Sequence, residues 1–328
     1  MSTLGPLQEG LSASEVLRQA QVAVLIPCYN EERTIGQVVA DFRRALPGAH
    51  VYVYDNNSTD ATGRVAAEAG ATVRREPMQG KGHVVRRMFS DIEADAYVMV
   101  DGDDTYDAAA APSMVTLLLR DGLDVVVGRR IDSDKAAYRA GHRFGNALLT
   151  GAISRLFSDR FKDILSGYRV FSRRFVKSFP IFAPEFEIET EMTVHALTLR
   201  MAIQEVTTTY KSRPEGSVSK LRTYHDGFRI VLMIFNLVRG ERPLLFFTIV
   251  SIMFASASVI LGYRVVVEFL QTGLVPKFPT AILSTGLAIL SALSLSCAFI
   301  LDTVTRARRS AAMLVYLAVP RWRNGPDA

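Results

Sequence analysis

The 328-residue sequence is poor in cysteine and has no basic, apolar leader at its N-terminus. Only Cys28 and Cys297 occur, which are too few and too far apart for a disulfide framework or a zinc site. Residues 1–20 do not contain the charged, apolar and small-residue segments of a secretory signal peptide. We therefore expect the N-terminal part to remain in the cytosol and to contain no structural disulfide.

Charged residues are absent from two long stretches of the C-terminal region. Residues 243–263 and 280–301 contain no Asp, Glu, Lys or Arg, and each stretch can cross a hydrocarbon core of about 30 Å as a helix. Buried helices of a large soluble protein are the less favoured alternative, because the first 240 residues already supply an α/β core. The sequence therefore predicts a two-helix transmembrane anchor over residues 243–328.

Basic residues are concentrated on one side of these two stretches. The loop between them contains Arg264 and Lys277, whereas the outer flanks contain Arg239, Arg242, Arg306, Arg308 and Arg309. Because positive residues favour the cytoplasmic side, we expect a multi-pass protein of the cell (inner) membrane with both termini in the cytoplasm. The formal net charge of +5 is assigned to contact with anionic lipid headgroups, and nucleic acid is not an expected partner.

Short β-branched runs alternate with amphipathic stretches in the first part of the chain. The runs are 22–27, 51–55, 72–75, 97–101 and 124–128, and helices are predicted near 33–45, 60–68, 82–91 and 112–120. This alternation is typical of a parallel sheet covered by helices on both faces. From about residue 141 the helical pattern dominates. Residues 219–242 are predicted to form amphipathic juxtamembrane helices, with a plain linker helix as the alternative.

Polar side chains follow each predicted strand, where open α/β sheets bind ligands. Asp101 and Asp103 follow a very apolar strand, on either side of Gly102. Carboxylates of this kind suit Mg²⁺ or Mn²⁺ that bridges to phosphates. Asp104 and Asp107 add negative charge that a cation would neutralise. We therefore expect a metal site at a solvent-accessible strand end.

Two further segments carry candidate binding residues. Asp55 closes the second strand, where its carboxylate can accept hydrogen bonds from ribose hydroxyls or a base N–H, and Asp60 is predicted to cap the next helix. The segment Gly80-Lys81-Gly82 does not have the spacing of an ordinary P-loop, so a P-loop nucleoside triphosphatase is excluded. Lys81 is left with two interpretations, contact with a ligand diphosphate or a solvated loop lysine.

Six segments in order resemble one enzyme family. They are LIPCYNEE, DNNSTDAT, VDGDDTYD, VVVGRR, DILSGYRVFSRR and RPEGSVSKL, between residues 24 and 221. Together they resemble the family 2 glycosyltransferases with the GT-A fold, in particular the branch of dolichyl-phosphate mannose synthases and bacterial polyprenyl-phosphate glycosyltransferases. The resemblance implies an α/β, Rossmann-like and mostly parallel sheet domain over residues 1–218, juxtamembrane helices over 219–242 and the anchor over 243–328.

The resemblance also implies roles for individual residues. Contacts with the nucleoside of a sugar donor are implied for Pro27, Tyr29, Glu31 and Asp55. Asp101 and Asp103 would hold the metal and the diphosphate, with Arg130 on the phosphates. An acceptor phosphate at the membrane face would be held by Arg213, Ser219 and Lys220.

Catalytic roles are implied for Asp103, Arg130 and Glu191. For Glu191 the alternative is a structural role in orienting a helix. Mannose synthases often have Gln as a metal ligand two residues after the second Asp, whereas this chain has Thr105, so the sugar is left open. Arg169 is interpreted as a structural hydrogen-bond donor beneath the sheet.

The predicted function is an inverting, metal-dependent hexosyltransferase. It would move a hexose from a UDP- or GDP-linked donor to a polyprenyl phosphate, undecaprenyl or dolichyl, at the cytosolic membrane face. An anionic acceptor needs no strong general base, so catalysis would consist of positioning and charge neutralisation. The alternatives are a family 2 enzyme with a soluble or polysaccharide acceptor, and a scaffold with a degenerate transferase domain. A homo-oligomer is left open.

Overall fold

The computed structural model describes residues 12–132, 151, 163–181, 188–211, 232 and 235–322. The chain divides into two compact units. The first, Met1–Gly227 with Ala312–Ala328, is called the sheet unit, and the second, Phe228–Ala311, is called the helical unit.

The sheet unit alternates strands and helices through most of its described length. Its strands are β1 Val22–Cys28, β2 His50–Asp55, β3 Thr72–Arg75, β4 Ala96–Met99, β5 Val125–Asp132, β6 Arg169–Ser172 and β7 Ile203–Tyr210. Its helices are α1 Ala13–Gln19, α2 Ile35–Ala45, α3 Thr62–Glu68, α4 Lys81–Asp91, α5 Ala111–Arg120, α6 Arg173–Ser178 and α7 Ile188–Thr198. The five predicted strands and four predicted helices up to residue 128 are confirmed, with ends that differ by a few residues.

The seven strands form one mixed sheet with the order β3-β2-β1-β4-β6-β5-β7. All neighbours are parallel except β6, which is antiparallel to β4 and β5. The expectation that a helical pattern dominates beyond residue 141 is therefore wrong for β6 and β7. β6 has only four residues, too few to show a period, and β7 is a polar edge strand that does not alternate clearly.

Apolar side chains on one face of α2 and α5 cover the sheet. In α2 they are Ile35, Val38, Val39 and Phe42, whose spacing of three to four residues keeps them on one side of the helix. The strands beneath are almost entirely apolar, as expected for a sheet buried on both faces, and all four residues of β4 are buried. The rigid layer formed in this way holds the loops at the carboxyl ends of the parallel strands.

The helical unit contains all of the long helix α8, Pro243–Thr272, and most of a second long helix, α9, Phe278–Ala318. The last residues of α9, from Ala312 on, belong to the sheet unit. Both are long and apolar enough to cross a membrane. α8 ends at Gly273, which adopts a left-handed conformation with φ 70°. The two predicted charge-free stretches lie within these helices.

Facing serines join α8 to α9. The Ser251 hydroxyl donates to the Ser291 carbonyl at 2.9 Å, and the Ser291 hydroxyl donates back to the Ser251 carbonyl at 2.9 Å. Ser258 and Ser284 exchange the same two bonds at 2.7 and 2.9 Å. Each hydroxyl thus has a hydrogen-bond acceptor, a backbone carbonyl, on the facing helix. Small side chains such as serine also allow the two backbones to approach closely.

Candidate active site

The loops after β1 and β2 are joined by side chain to backbone hydrogen bonds. Cys28 lies opposite Asp55 in the register of the two strands. Asp55 Oδ1 accepts from the amide of Ser58 at 3.0 Å, and Ser58 Oγ accepts from the amide of Asn30 at 2.9 Å. The residues predicted to contact the nucleoside of the sugar donor follow or close β1 and β2 and are all half-buried: Pro27, Tyr29, Glu31 and Asp55.

Asp60 fastens the start of α3 to the loop after β1. Its Oδ1 accepts from the amide of Thr62, the first residue of α3, at 3.0 Å, and its Oδ2 accepts from the amide of Glu32 at 3.2 Å. Burial opposes ionisation of Asp60, but the hydrogen bonds from Thr62 and Glu32 outweigh it and hold the pKa of this carboxyl below its usual value. Asp60 therefore has the structural role at the helix start that the sequence predicts.

Asn56 connects the loop after β2 to the segment that precedes α4. Its side-chain amide donates to the Met78 carbonyl at 2.7 Å, and its Oδ1 accepts from the Gly80 amide at 2.7 Å. Gly80 has φ 130°, a conformation that side chains rarely allow. The segment can therefore turn sharply and start α4 at Lys81. Sequence reasoning missed Asn56, although an asparagine directly after a strand is typical of such a turn.

Lys81 is the centre of a buried ion cluster. Its Nζ lies 2.6 Å from Asp101 Oδ1 and 2.5 Å from Glu189 Oε1, and the exposed fractions of the three side chains are 10%, 30% and 6%. Burial by itself would lower the pKa of Lys81, but the carboxylates of Asp101 and Glu189 outweigh it and raise the pKa above its usual range. The interpretation of Lys81 as a solvated loop lysine is therefore wrong.

Asp101 lies against the backbone of the SGYR segment. A Cβ added at Gly167 would fall 2.3 Å from Asp101 Oδ2, so only glycine leaves room for this carboxylate. On the other side, a Cβ at Gly102 would fall 2.7 Å from Sγ of Cys28. These two close approaches hold the Asp101-Gly102 segment between the end of β1 and the residues that precede β6.

Asp103 is less accessible than predicted. Only 4% of the residue is exposed, so the expectation of a solvent-accessible position holds for Asp101 and not for Asp103. The chain turns through Asp104, which has φ 55°, and brings Thr105 back onto Asp103. Asp103 Oδ1 accepts from Thr105 Oγ1 at 2.6 Å and from its amide at 3.3 Å. Thr105 therefore orients this carboxylate.

Arg130 is held by Asp163, a residue that sequence reasoning did not single out. Arg130 Nε donates to Asp163 Oδ2 and Nη2 donates to Oδ1, both at 2.8 Å. The exposed fractions of the two side chains are 13% and 7%, and Cζ of Arg130 lies 5.5 Å from the ring centroid of Tyr210. Such a two-bond pair gives the guanidinium one orientation. Contact of Arg130 with a donor phosphate stays a prediction.

The first turn of α7 supplies a different glutamate from the one predicted. Glu189 contacts Lys81, whereas Glu191 lies two positions later, about 200° further around the helix, and is half-buried. The catalytic role of Glu191 stays a prediction. The spacing E-x-E in FEIETEM could have suggested Glu189, but nothing in the sequence distinguishes the two faces of this short helix.

Arg169 has the structural role predicted for it. The residue is completely buried, and it donates to the Ser166 carbonyl and to Thr193 Oγ1, both at 2.9 Å, and also to the Ile164 carbonyl. Burial lowers the pKa of this guanidinium. The residue ties the SGYR loop to α7, which carries Glu189.

Part of the predicted site cannot be placed. Arg213, Ser219 and Lys220, predicted to hold the acceptor phosphate, lie outside the described residues, as does most of the predicted amphipathic stretch 219–242. Within the described part of the chain, no group of three or more His, Cys, Asp or Glu side chains is placed to hold a metal ion. The metal site at Asp101 and Asp103 stays a prediction.

Comparison with known proteins identifies the family of this chain. The model of glycosyl transferase family 2 matches residues 23–179. Glycosyltransferase AglJ of Haloferax volcanii is 37% identical over 250 residues, which are 76% of this chain and 81% of that protein. This chain belongs to glycosyltransferase family 2. A dolichyl-phosphate hexose transferase of the same organism is 28% identical to this glycosyltransferase over 221 residues, covering 67% of this chain and 95% of that protein.

A solved structure shows the same fold as this glycosyltransferase. It is the glucosyl-3-phosphoglycerate synthase of Mycobacterium tuberculosis in complex with Mn²⁺, uridine diphosphate and glucosyl-3-phosphoglycerate. The TM-score is 0.56 at 23% sequence identity, over 70% of this chain and 85% of that chain. The likeness, at this identity, concerns the fold alone. The predicted family and the predicted α/β GT-A fold, followed by two apolar helices, are confirmed.

Proposed function

We propose that this glycosyltransferase moves a hexose from a UDP- or GDP-linked donor to a polyprenyl phosphate at the cytosolic face of the membrane. The observation that carries the proposal is that one family 2 chain combines polar side chains at the carboxyl ends of its parallel strands with two helices long and apolar enough to cross a bilayer. An insoluble acceptor and a soluble donor can meet only at the interface. The similarity to a dolichyl-phosphate hexose transferase supports the same acceptor class.

We assign the nucleoside of the sugar donor to the loops after β1 and β2. Asp55 already accepts one backbone amide through Oδ1, and a carboxylate can accept further hydrogen bonds from ribose hydroxyls. Pro27 and Tyr29 supply apolar surface for a base, and Glu31 a second acceptor. A solved structure of the same fold contains uridine diphosphate, which supports a nucleotide-linked donor.

The diphosphate is assigned to Asp101 and Asp103, with Mg²⁺ or Mn²⁺. Both side chains offer hard oxygen atoms, and Mg²⁺ is commonly bound through one or two carboxylates together with substrate phosphates. The Lys81 ammonium lies 2.6 Å from Asp101 Oδ1, and the presence of a cation beside this carboxylate supports the proposal that a metal ion binds there. The metal would neutralise charge on the leaving diphosphate. Thr105 keeps Asp103 oriented, and Lys81 remains paired with Glu189.

The acceptor phosphate acts as the nucleophile in the proposed reaction. One of its oxygens attacks the anomeric carbon, the bond from that carbon to the donor diphosphate breaks, and the configuration inverts in this single displacement. The oxygen is already anionic, so no protein base has to remove a proton. We assign the acceptor phosphate to Arg213, Ser219 and Lys220, and the phosphates of the donor to Arg130.

A transfer assay with purified full-length protein tests the proposal. The protein is incubated with Mn²⁺ or Mg²⁺, a panel of UDP- and GDP-sugars, and either polyprenyl phosphate in vesicles or soluble sugar acceptors. We expect sugar to appear on the lipid and to disappear when the metal is chelated. Transfer only to soluble acceptors would instead favour the soluble or polysaccharide acceptor.

The topology proposed is a multi-pass inner-membrane protein with the sheet unit and both termini in the cytoplasm. The loop between α8 and α9 would then lie on the far side. In a Cys297→Ser background, Val275→Cys places a thiol in that loop, where Val275 is 41% exposed. An impermeant maleimide should label it in intact cells. Labelling only after the cells are opened would contradict the two-span topology.

A further inference from the structure

The edge of the sheet opposite the candidate active site is organised around Asp124. This residue precedes β5 and is 4% exposed. Its amide donates to the Ala202 carbonyl at 2.8 Å, and its Oδ2 accepts from the Ala202 amide at 3.2 Å. Its Oδ1 accepts from the Ser172 hydroxyl at 3.1 Å. One carboxylate therefore joins the ends of β5, β6 and β7.

The last turns of α9 attach to the same carboxylate. The Tyr316 hydroxyl donates to Asp124 Oδ2 at 3.0 Å. Arg174, in α6, places Cζ 5.4 Å from the Tyr316 ring centroid and donates from Nε to the Val319 carbonyl at 2.9 Å. The hydrogen bonds and the cation–π contact come from different elements of the sheet unit, so they fix the direction of the segment as well as its position.

The residues after α9 continue this attachment. A Cβ added at Gly122 would fall 1.1 Å from Nη2 of Arg321, so the guanidinium lies directly on the glycine backbone. Gly122 also has φ 62°, which favours glycine at this turn. Trp322 is half-buried and packs against the main hydrophobic core. Residues 312–322, here called the C-terminal clasp, thus share the core of the sheet unit.

We infer that the C-terminal clasp positions the sheet unit for transfer to a membrane-bound acceptor. α9 begins in the helical unit and ends in the clasp, so the chain connects the two units through α9 as well as through the residues around 227. A single connection lets the active site sample many orientations. A second connection, held by a packed segment, narrows that range and raises the effective concentration of the acceptor at the site.

A clasp that positions the sheet unit and a clasp that only stabilises its fold differ in how their loss affects different substrates. If the clasp only stabilised the sheet unit, its loss would affect every substrate equally. A positioning role predicts loss with an acceptor anchored in a bilayer and little change with a short, water-soluble acceptor or with donor binding. The acceptor part of the argument rests on the proposed function, whereas the contacts of the clasp do not.

The test uses full-length protein in vesicles with the double variant Tyr316→Phe/Arg174→Gln, which removes the hydroxyl and the guanidinium but little volume. Leu317→Ala is the matched control, since Leu317 lies in the same turn and is 65% exposed. Hydrogen exchange of residues 120–124 and 172–174 reports on the clasp itself. We expect faster exchange there in the double variant and none of this change in the control.

Transfer kinetics complete the test. For long-chain polyprenyl phosphate in vesicles, kcat/KM of the double variant should fall about tenfold through the lost effective concentration. The donor Kd and kcat/KM for a short-chain soluble prenyl phosphate should change less than about twofold, as should all values for the control. Unchanged hydrogen exchange in the double variant would show that these contacts do not hold the clasp. Equal losses of kcat/KM for both acceptors would overturn the positioning role of the clasp. If the unaltered protein transfers sugar to neither prenyl phosphate, the proposed function fails and the positioning role with it, while the exchange data still decide whether the clasp forms.

Discussion

The two units differ in where their large apolar side chains lie. The sheet unit buries ionised side chains inside and surrounds them with apolar strands, as at Lys81 and Arg169. In the helical unit, large apolar side chains point outward: Met253 is 66% exposed and Val259 is 69% exposed. Its hydroxyls lie between the helices. The exposed surface of the helical unit is therefore apolar, and both of its helices are long and apolar enough to cross a membrane.

The difference lies in what each unit loses when a polar group is removed. In the sheet unit a buried charge depends on one or two named partners, and the loss of a partner leaves the other charge unpaired in a poorly solvated place. In the helical unit each serine shares a modest hydrogen bond. Polar substitutions should therefore have large effects in the sheet unit and small ones between the helices.

The largest effect is expected for Asp103→Asn. Amide and carboxylate have nearly the same shape, so the hydrogen bond from Thr105 can persist while the charge proposed to bind the metal is lost. Transfer should fall about a thousandfold, corresponding to about 4 kcal/mol of transition-state stabilisation, with a thermal midpoint close to the original. Radiolabelled sugar transfer and calorimetry measure both quantities. Near-normal turnover that still requires metal would remove Asp103 from the metal site.

Lys81→Met should be the most destabilising change in the comparison. It leaves Glu189, with 6% of its side chain exposed, and Asp101 without their shared cation. We expect a loss of about 3 to 5 kcal/mol in the free energy of unfolding of the sheet unit, measured by denaturant titration. Lys211→Met is the control, because Lys211 is 50% exposed and 3.9 Å from Asp104, and it should cost less than about 1 kcal/mol. Equal effects of the two substitutions would contradict the ion cluster.

Acid should weaken the sheet unit through His195. Burial lowers the pKa of His195 to about 4 from the ordinary value of 6.5, so the folded protein binds this proton less readily than the unfolded chain. The stability is present above about pH 6.5 and is lost as the pH falls towards about 4. Between pH 7 and pH 5 we expect a loss of about 2 kcal/mol from this group. His195→Phe should flatten that part of the pH profile in denaturant titrations, and an unchanged slope would rule this histidine out as its source.

Tyr168→Phe should stabilise the sheet unit. Tyr168 is completely buried, and its hydroxyl has no hydrogen-bond partner among the described residues. Removal of an unsatisfied buried hydroxyl is expected to raise the free energy of unfolding by about 1 kcal/mol. Tyr106→Phe is the matched change of opposite sign, because the Tyr106 hydroxyl accepts from the Gly167 amide at 2.9 Å. Thermal unfolding of the two variants side by side would show whether the signs differ.

The smallest effect is expected between the apolar helices. Ser251→Ala with Ser291→Ala removes both side-chain hydrogen bonds of that pair, at about 0.6 kcal/mol for each bond. Ser296→Ala is the control, since its hydroxyl bonds to the Ala292 carbonyl of its own helix at 3.0 Å. Thermal unfolding in detergent compares them. A loss as large as that of Lys81→Met would mean that the two units do not differ in the way described.

The sequence predicted the elements that depend on local patterns. The β-branched runs give β1 to β5, and the spacing of apolar residues gives α2 and α5. The candidate residues at strand ends were selected because parallel strands end at the same edge, and their roles stay predictions. Thr105 was noticed, but its bond to Asp103 was not foreseen.

The contacts that were missed join distant parts of the chain. Lys81 and Glu189 are 108 positions apart, and Arg130 and Asp163 are 33 apart. No local period indicates that such side chains meet. The short strand β6 was missed for a related reason, because its pairing with β4 and β5, not its own four residues, makes it a strand.

The serine pairs also fix how the two apolar helices align lengthwise. Ser251 and Ser258 are seven residues apart, as are Ser284 and Ser291, and each serine faces one partner. Seven residues are nearly two full turns, so both contacts repeat on the same stripe about 10 Å apart. A slip of one turn would break both pairs together, since each hydroxyl would then face a different residue. The two serine pairs therefore specify a single register between α8 and α9.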